Sequence, residues 1–239
     1  MQRSGVRSSK ISVSAELRVS PNPTPWPEEE LNQTTATLGG RPVWLAAWVK
    51  QGELPSVLWA HKNALRLLHR LVLVLHIEEG GEQAVLLQQL RAMNLRVADW
   101  DAGDPIEDNT QVILSNTTED LGLWYRMAPV SFLGGSLNPG SGGHDPLNAI
   151  ALGSALLYGP NIGSHIETYA RLAAAGAARC VRDSEALSEN VVSLLSPDRA
   201  AEMALAGWRV VTESAFLTDQ LIELIEDRLD GIESTDARP

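Results

Sequence analysis

From residue 41 onward, short apolar runs of strand length alternate with longer segments of helical period, and few architectures can accommodate that alternation. Residues 43–48, 71–77, 96–100, 112–116, 130–134 and 155–158 read as strands. Between them, 53–70, 81–94, 119–128, 145–153 and 164–176 read as helices. Runs such as Leu71-Val72-Leu73-Val74-Leu75 are apolar on both sides, so neither face of the strand is built to meet water. Strands of this kind joined by helices need crossover connections, which means a parallel sheet with helices on both faces. The expected fold is therefore α/β and Rossmann-like. Beyond residue 180, the segments 184–195, 198–213 and 216–230 read as helices, and the acidic run Glu223 to Asp230 as a solvated face.

The first 40 residues differ. Pro21, Pro23, Pro25 and Pro27 alternate and force extended backbone, the mark of a linker. Before them Lys10 to Ala15 alternate with period two, as one isolated strand would. A lone strand cannot fold by itself, so residues 1–40 read as the remnant of an amino-terminal domain plus a proline-rich linker. Residues 41–235 then form the main domain.

Charge excludes one class of partner. The 239 residues carry a net charge of −11, with Lys only at positions 10, 50 and 62 and 16 scattered Arg. A nucleic-acid surface needs clustered cations, so no nucleic acid is expected. No run approaches the roughly 20 apolar residues of a membrane span, and no apolar core follows the charged first residues as in a secretory signal. The single cysteine, Cys180, sits in the apolar run Ala177 to Val181 and reads as a small buried hydrophobe rather than a nucleophile. Its solitude rules out an internal disulfide and fits a reducing cytoplasm.

Ligands of an open parallel sheet bind beyond the carboxyl ends of the strands. The richest segment there is Gly134 to Asn148, GGSLNPGSGGHDPLN. Its five glycines remove Cβ atoms where a ligand could approach the backbone. Asp145 can cap a helix with Pro146 at its first position, leaving N–H groups suited to a phosphate. The same residues also suit an ordinary glycine turn. His144 could bond a phosphate or hydroxyl, or only close the turn. The segment Tyr158 to His165 lies at the same sheet edge and would face the same pocket.

Other positions carry weaker signals. Lys50, in the loop after the first strand, is either a phosphate contact or a solvated lysine. Ser115, Thr117 and Thr118 read chiefly as helix caps. The tryptophans read mostly as core or interdomain packing. No metal cluster or Ser-His-Asp spacing stands out, and no cofactor is expected.

These residues together carry a family likeness. The order Arg41 to Ala47, Leu121 to Tyr125, the GGSLNPGSGGHDPL loop, Leu157 to Pro160 and Ala175 to Ala177 resembles the bacterial 3-deoxy-D-manno-octulosonic acid (Kdo) transferases. It covers about residues 5 to 215 and maps onto the second half of that family. The resemblance implies the carboxy-terminal half of a GT-B fold, which holds CMP-Kdo for transfer to a lipid A precursor in lipopolysaccharide biosynthesis. It implies that Gly135, Ser136, Leu137, Gly142, Gly143, His144 and Asp145 line the donor pocket, with Asn148 and Lys50 as further contacts. It also implies a cytoplasmic location, peripheral to the inner membrane through a partner, and a separately encoded acceptor-domain protein.

Three loops depart from the family pattern. Asn148 stands where the family usually has a Glu that holds the ribose hydroxyls. After the first strand, Trp48-Val49-Lys50-Gln51-Gly52-Glu53-Leu54 replaces Ser-Thr-His-x-Gly-Glu-Glu. After the second, His76-Ile77-Glu78-Glu79 replaces a segment with Pro-Arg-His. The acceptor domain and its catalytic Glu have no counterpart in these residues. The alternative reading is accordingly a non-catalytic, truncated relative that binds a nucleotide weakly or binds only a protein. A GT-B enzyme using a UDP- or GDP-sugar is a third reading, which the likeness outside the glycine loop disfavours.

Overall fold

Each apolar run from residue 43 to 158 becomes a strand in the computed structural model, which describes residues 23–78, 83–213, 222 and 225. The strands are β1 (Val43–Val49), β2 (Val72–Ile77), β3 (Val97–Asp99), β4 (Val112–Leu114), β5 (Val130–Leu133) and β6 (Ala155–Tyr158). A seventh, β7 (Ala178–Cys180), completes one all-parallel sheet in the order β3-β4-β2-β1-β5-β6-β7. β7 is too short and too alanine-rich to show as a strand in sequence. Its place at the sheet edge leaves Arg179 and Cys180 exposed, so Cys180 is not the buried hydrophobe expected from its neighbours.

The helices are α1 (Glu28–Leu38), α2 (Leu54–Leu65), α3 (Gln83–Ala92), α4 (Leu121–Met127), α5 (Leu147–Ala151), α6 (Ile166–Ala174) and α7 (Ser184–Leu194). A further helix covers 197–213. α1 was not expected, because the prolines before it dominate the reading of residues 21–40. Three glutamates in its first turn suit the positive end of a helix, and Gly39 ends it in the left-handed conformation. It packs against α4. The isolated strand expected at Lys10 to Ala15, and most of the helix expected over 216–230, lie outside the described residues. Contacts group residues 21–210 into one compact unit.

Right-handed crossovers fix the layers. The connections β1–α2–β2–α3–β3 run toward one sheet edge, while α4, α5 and α6 run toward the other, so the two sets lie on opposite faces. The largest buried cluster shows the first layer. Alternate strand residues Trp44, Ala46, Leu73, Leu75 and Phe132 pack on Val57 and Leu58 of α2, Leu90 of α3, and Leu187 and Val191 of α7. Each such side chain contributes about 1.5–3 kcal/mol when fully buried. His61 of α2 is buried with them, its Nδ1 accepting from the Trp44 indole at 3.1 Å and its Nε2 facing the Gln111 carbonyl at 3.0 Å. The indole contact leaves the proton on Nε2, and burial pushes the imidazole pKa down to about 3. At the amino-terminal ends of the same strands, Arg41 spreads its guanidinium over the carbonyls of Arg70, Glu107 and Thr110.

The strand order reverses between β1 and β5. The loop after β1 leads to one face and the loop after β5 to the other, which opens a crevice at the carboxyl ends of these two strands.

Candidate functional site

The crevice is closed at its base by Glu53, the last residue before α2. Its side chain is fully buried. One oxygen accepts from the Gly135 amide at 2.6 Å and the Lys50 amide at 3.1 Å. The other accepts from Ser136 at 2.9 Å and Leu137 at 2.6 Å. Gly135, Ser136 and Leu137, three residues expected to line a donor pocket, thus turn their amides to a carboxylate of the chain itself. Glu53 is not among the residues expected to form the site. A Gly-Glu pair directly before a helix was the available signal.

Trp48 forms the wall above. It is a rare non-glycine residue in the left-handed region, with φ 59°, and β1 slips register with β2 between Ala46 and Val49 around it. Four contacts hold this strained conformation. Its amide donates to His76 Nδ1 at 3.2 Å and its indole N–H to the Tyr125 hydroxyl at 3.2 Å. Its ring lies edge-on to His76 and stacks on His144, at 4.8 Å with an interplanar angle of 17°. Burial dominates at His76 and pushes its pKa down to about 4, against the opposing pull of Asp101 and Glu78. Trp48 thus stands between His76 and His144 rather than in the core.

The polar mouth of the crevice is built from three loops. His144 Nε2 and Lys50 Nζ each lie 2.8 Å from Glu78 Oε2. Burial alone would raise the Glu78 carboxyl, but the hydrogen bonds from Lys50 and His144 outweigh it and hold the group below its usual range. Lys50 is therefore not the freely solvated lysine of the simpler reading. His144 is fixed from behind as well, since the Tyr169 hydroxyl donates to its carbonyl at 2.8 Å.

α5 begins one residue later than expected. Pro146 occupies the N-cap position, and the Asp145 side chain accepts from the Leu147 amide at 3.0 Å. That bond uses one of the N–H groups a phosphate would seek. Asn148, in the first turn, is engaged by the segment leading into α1: Thr24 N–H donates to Asn148 Oδ1 at 3.0 Å, and Asn148 Nδ2 donates to the Thr24 hydroxyl at 2.9 Å. On the β4 side, Thr117 stands at the N-cap of the short 3-10 turn Thr118–Asp120, but its side chain makes no capping bond. Its hydroxyl donates to Asp101 at 3.1 Å, and Ser115 accepts from the Trp124 indole at 2.9 Å.

The two glycine-bearing loops interlock. Gly159 N–H donates to the Ser136 hydroxyl at 2.8 Å, and Asn161 Nδ2 reaches the carbonyls of Ser136 and Leu137 at 3.2 and 2.9 Å. A Cβ on Gly159 would collide with the Ser136 carbonyl, and one on Gly163 would stand 2.5 Å from the carbonyl oxygen of Gly142. Gly142 and Gly143 are thereby pinned under the neighbouring loop. The structure thus brings Lys50, His144, Gly143 and Asp145 to one rim. It turns Asn148 toward Thr24 at the side of that rim. Among the described residues, no group of three or more His, Cys, Asp or Glu side chains could hold a metal ion. No described helix is long and apolar enough to cross a membrane.

Comparison with known proteins bears on what such a rim could hold. No family model matches the chain. The chain is 29% identical over 195 residues to 3-deoxy-D-manno-octulosonic acid transferase of Haemophilus influenzae, covering 80% of this chain and 45% of that one. It is 32% identical over 157 residues to the enzyme of the same name from Chlamydia pneumoniae, covering 64% and 31%. In fold it is similar to the C-terminal CMP-Kdo binding domain of WaaA from Acinetobacter baumannii, with a TM-score of 0.70 at 24% identity over 77% of this chain and 96% of that domain. The C-terminal domain of the glycosyl transferase LpcC from Francisella tularensis matches more loosely, with a TM-score of 0.54 at 14% identity over 84% and 97%. The expected α/β fold of a GT-B carboxy-terminal half is thus borne out. The chain spans about half the length of the curated relatives it matches.

Proposed function

We propose that this chain, a homologue of the carboxy-terminal domain of the Kdo transferases, is the donor-holding half of a glycosyltransferase. Its relatives are glycosyltransferases, and the donor it would hold is CMP-Kdo. The acceptor would be a lipid A precursor, in lipopolysaccharide biosynthesis, brought against this domain by a separate acceptor-domain protein. Work of that kind belongs at the cytoplasmic side of the inner membrane. GT-B chemistry depends on positioning acceptor against donor across a cleft, and residues 41–210 supply one wall of it. The donor domain of this proposal takes in α1, which packs against α4, together with the rest of residues 21–210.

The observation that carries this reading is the pairing of Lys50 and His144 around a single carboxylate oxygen at the crevice mouth. Two donors aimed at one anionic oxygen are what a nucleotide phosphate requires, and Glu78 occupies that position in the ligand's stead. A phosphate would displace Glu78 and take both donors, while the loop Gly142 to Asp145 lies along its flank. The nucleotide's ribose would compete with Thr24 for Asn148. Gly135, Ser136 and Leu137 contribute as the shaped floor that Glu53 holds in place. The test is calorimetric titration of CMP into the chain, with UDP and GDP as controls; selective CMP binding supports the reading, and equal binding of all three refutes the assigned donor.

One set of contacts favours the alternative, a non-catalytic relative. Glu53, Glu78 and Thr24 between them satisfy the polar groups a donor would use. Absence of binding by any nucleotide would support a module of that kind.

A further inference from the structure

The helical layer of α2, α3 and α7 holds a feature remote from the crevice chemistry. Between α2 and α3 runs an open groove of about 680 Å³. Leu54, Leu58 and Met93 give it an apolar lining, and Trp59, 47% exposed, stands along it. One end is cationic. Lys62 reaches across to donate to the Met93 carbonyl at 3.3 Å, and Arg66 follows one turn later on the same face of α2. Among the described residues, no carboxylate lines the groove.

The charge at this end of the groove is local. The protein has 30 Asp and Glu against 19 Lys and Arg, yet residues 54–77 contain no acidic residue at all. Lys62, Arg66 and Arg70 fall within that stretch. An exposed tryptophan beside an apolar trough is costly to leave in water, and a cation pair at one end of the trough selects what can cover it. A protein partner needs roughly 800 Å² of complementary surface per side. The groove instead has the size of a small-molecule site, which typically falls at about 300–1,000 Å³.

We propose that the α2–α3 groove binds an anionic amphiphile, with its aliphatic chain along Leu58 and Met93 against Trp59 and its phosphate or carboxylate head on Lys62 and Arg66. The site is independent of the donor reading, because none of its residues belongs to the crevice. Chain and head contribute separately: the trough supplies affinity through apolar burial, and the two cations discriminate by charge.

The test titrates dodecyl phosphate, below its micellar concentration, into the full chain and follows tryptophan fluorescence and calorimetric heat. Dodecyl maltoside serves as the neutral chain and inorganic phosphate as the bare head. Saturable one-to-one binding of dodecyl phosphate, at least tenfold tighter than dodecyl maltoside, is expected, with inorganic phosphate too weak to measure. The K62E/R66E double variant should lose at least tenfold in affinity with an unchanged circular dichroism spectrum, and Trp59→Ala should weaken both chain-bearing ligands. Equal affinity for neutral and anionic chains, or an unaffected double variant, would overturn the proposal. Binding to phosphatidylglycerol vesicles without binding to the monomeric amphiphile would replace it with a bilayer surface. Self-association abolished by Trp59→Ala and indifferent to dodecyl phosphate would replace it with a second copy of the chain.

Discussion

The carboxylate of Glu53 lies 2.6 Å from the amide nitrogen of Gly135, 82 residues further along the chain, in a position with no access to solvent. This contact spans the point where the strand order reverses, and it joins the loop after β1 to the loop after β5. Glu53→Gln keeps the shape but turns an NH2 group toward backbone N–H donors. The expected cost is about 3 kcal/mol, the scale of breaking a buried charge-assisted set. Urea denaturation reads it directly, and a change below ~1 kcal/mol would show that other contacts hold the loops together.

His144→Ala removes the imidazole that stacks on Trp48 and faces Glu78. CMP binding should weaken by about 1–2 kcal/mol, the scale of one hydrogen bond to a charged group. Unchanged affinity in calorimetry takes His144 out of the site.

Thr24 and Asn148 form a two-bond clamp where a ribose would compete. Thr24→Val removes the hydroxyl and should raise CMP affinity severalfold, because the ligand then displaces one bond fewer. Asn148→Glu should raise it too, since a carboxylate accepts from hydroxyls more strongly than an amide. If neither variant changes affinity, ribose does not reach Asn148.

His61 and His76 make stability fall in acid. Their folded pKa values, about 3 and about 4, lie below the usual 6.5, so the unfolded chain binds protons first as pH drops. Their contribution is complete above pH 6.5 and erodes toward pH 4. Across the middle of that window the slope should approach about 2.7 kcal/mol per pH unit, from two protons taken up on unfolding. Denaturation midpoints at pH 7, 6, 5 and 4 measure it. Flat stability from pH 7 to 5 would contradict neutral, buried imidazoles at these positions.

The architecture was readable because two-sided apolar runs such as Leu71 to Leu75 have only one solution, a covered parallel sheet. The glycine loop after β5 was readable as well, since strand, glycines and helix start follow in a fixed order. What escaped was long-range or conformational. α1 was hidden by the prolines ahead of it, and β7 by the alanines around it, which carry no strand pattern. Glu53 looked like an ordinary helix-start residue, because nothing local shows which amides 82 residues away it will receive. The placing of Trp48 against His144 escaped as well, because a left-handed backbone has no signature in a tryptophan. Cys180 was misjudged because an apolar neighbourhood in sequence does not reveal a sheet edge.

The glycine contacts between the loops after β5 and β6 have a mechanical consequence. With Gly159 seated on the Ser136 carbonyl and Gly163 on Gly142, the two loops leave no gap in which one could slide while the other stays. The hydrogen bonds from Gly159 and Asn161 to Ser136 and Leu137 tie them together. A molecule that touches only Gly143 or His144 therefore meets both loops at once, and a methyl group added at position 159 would disturb the rim from beneath, through Ser136 and Leu137.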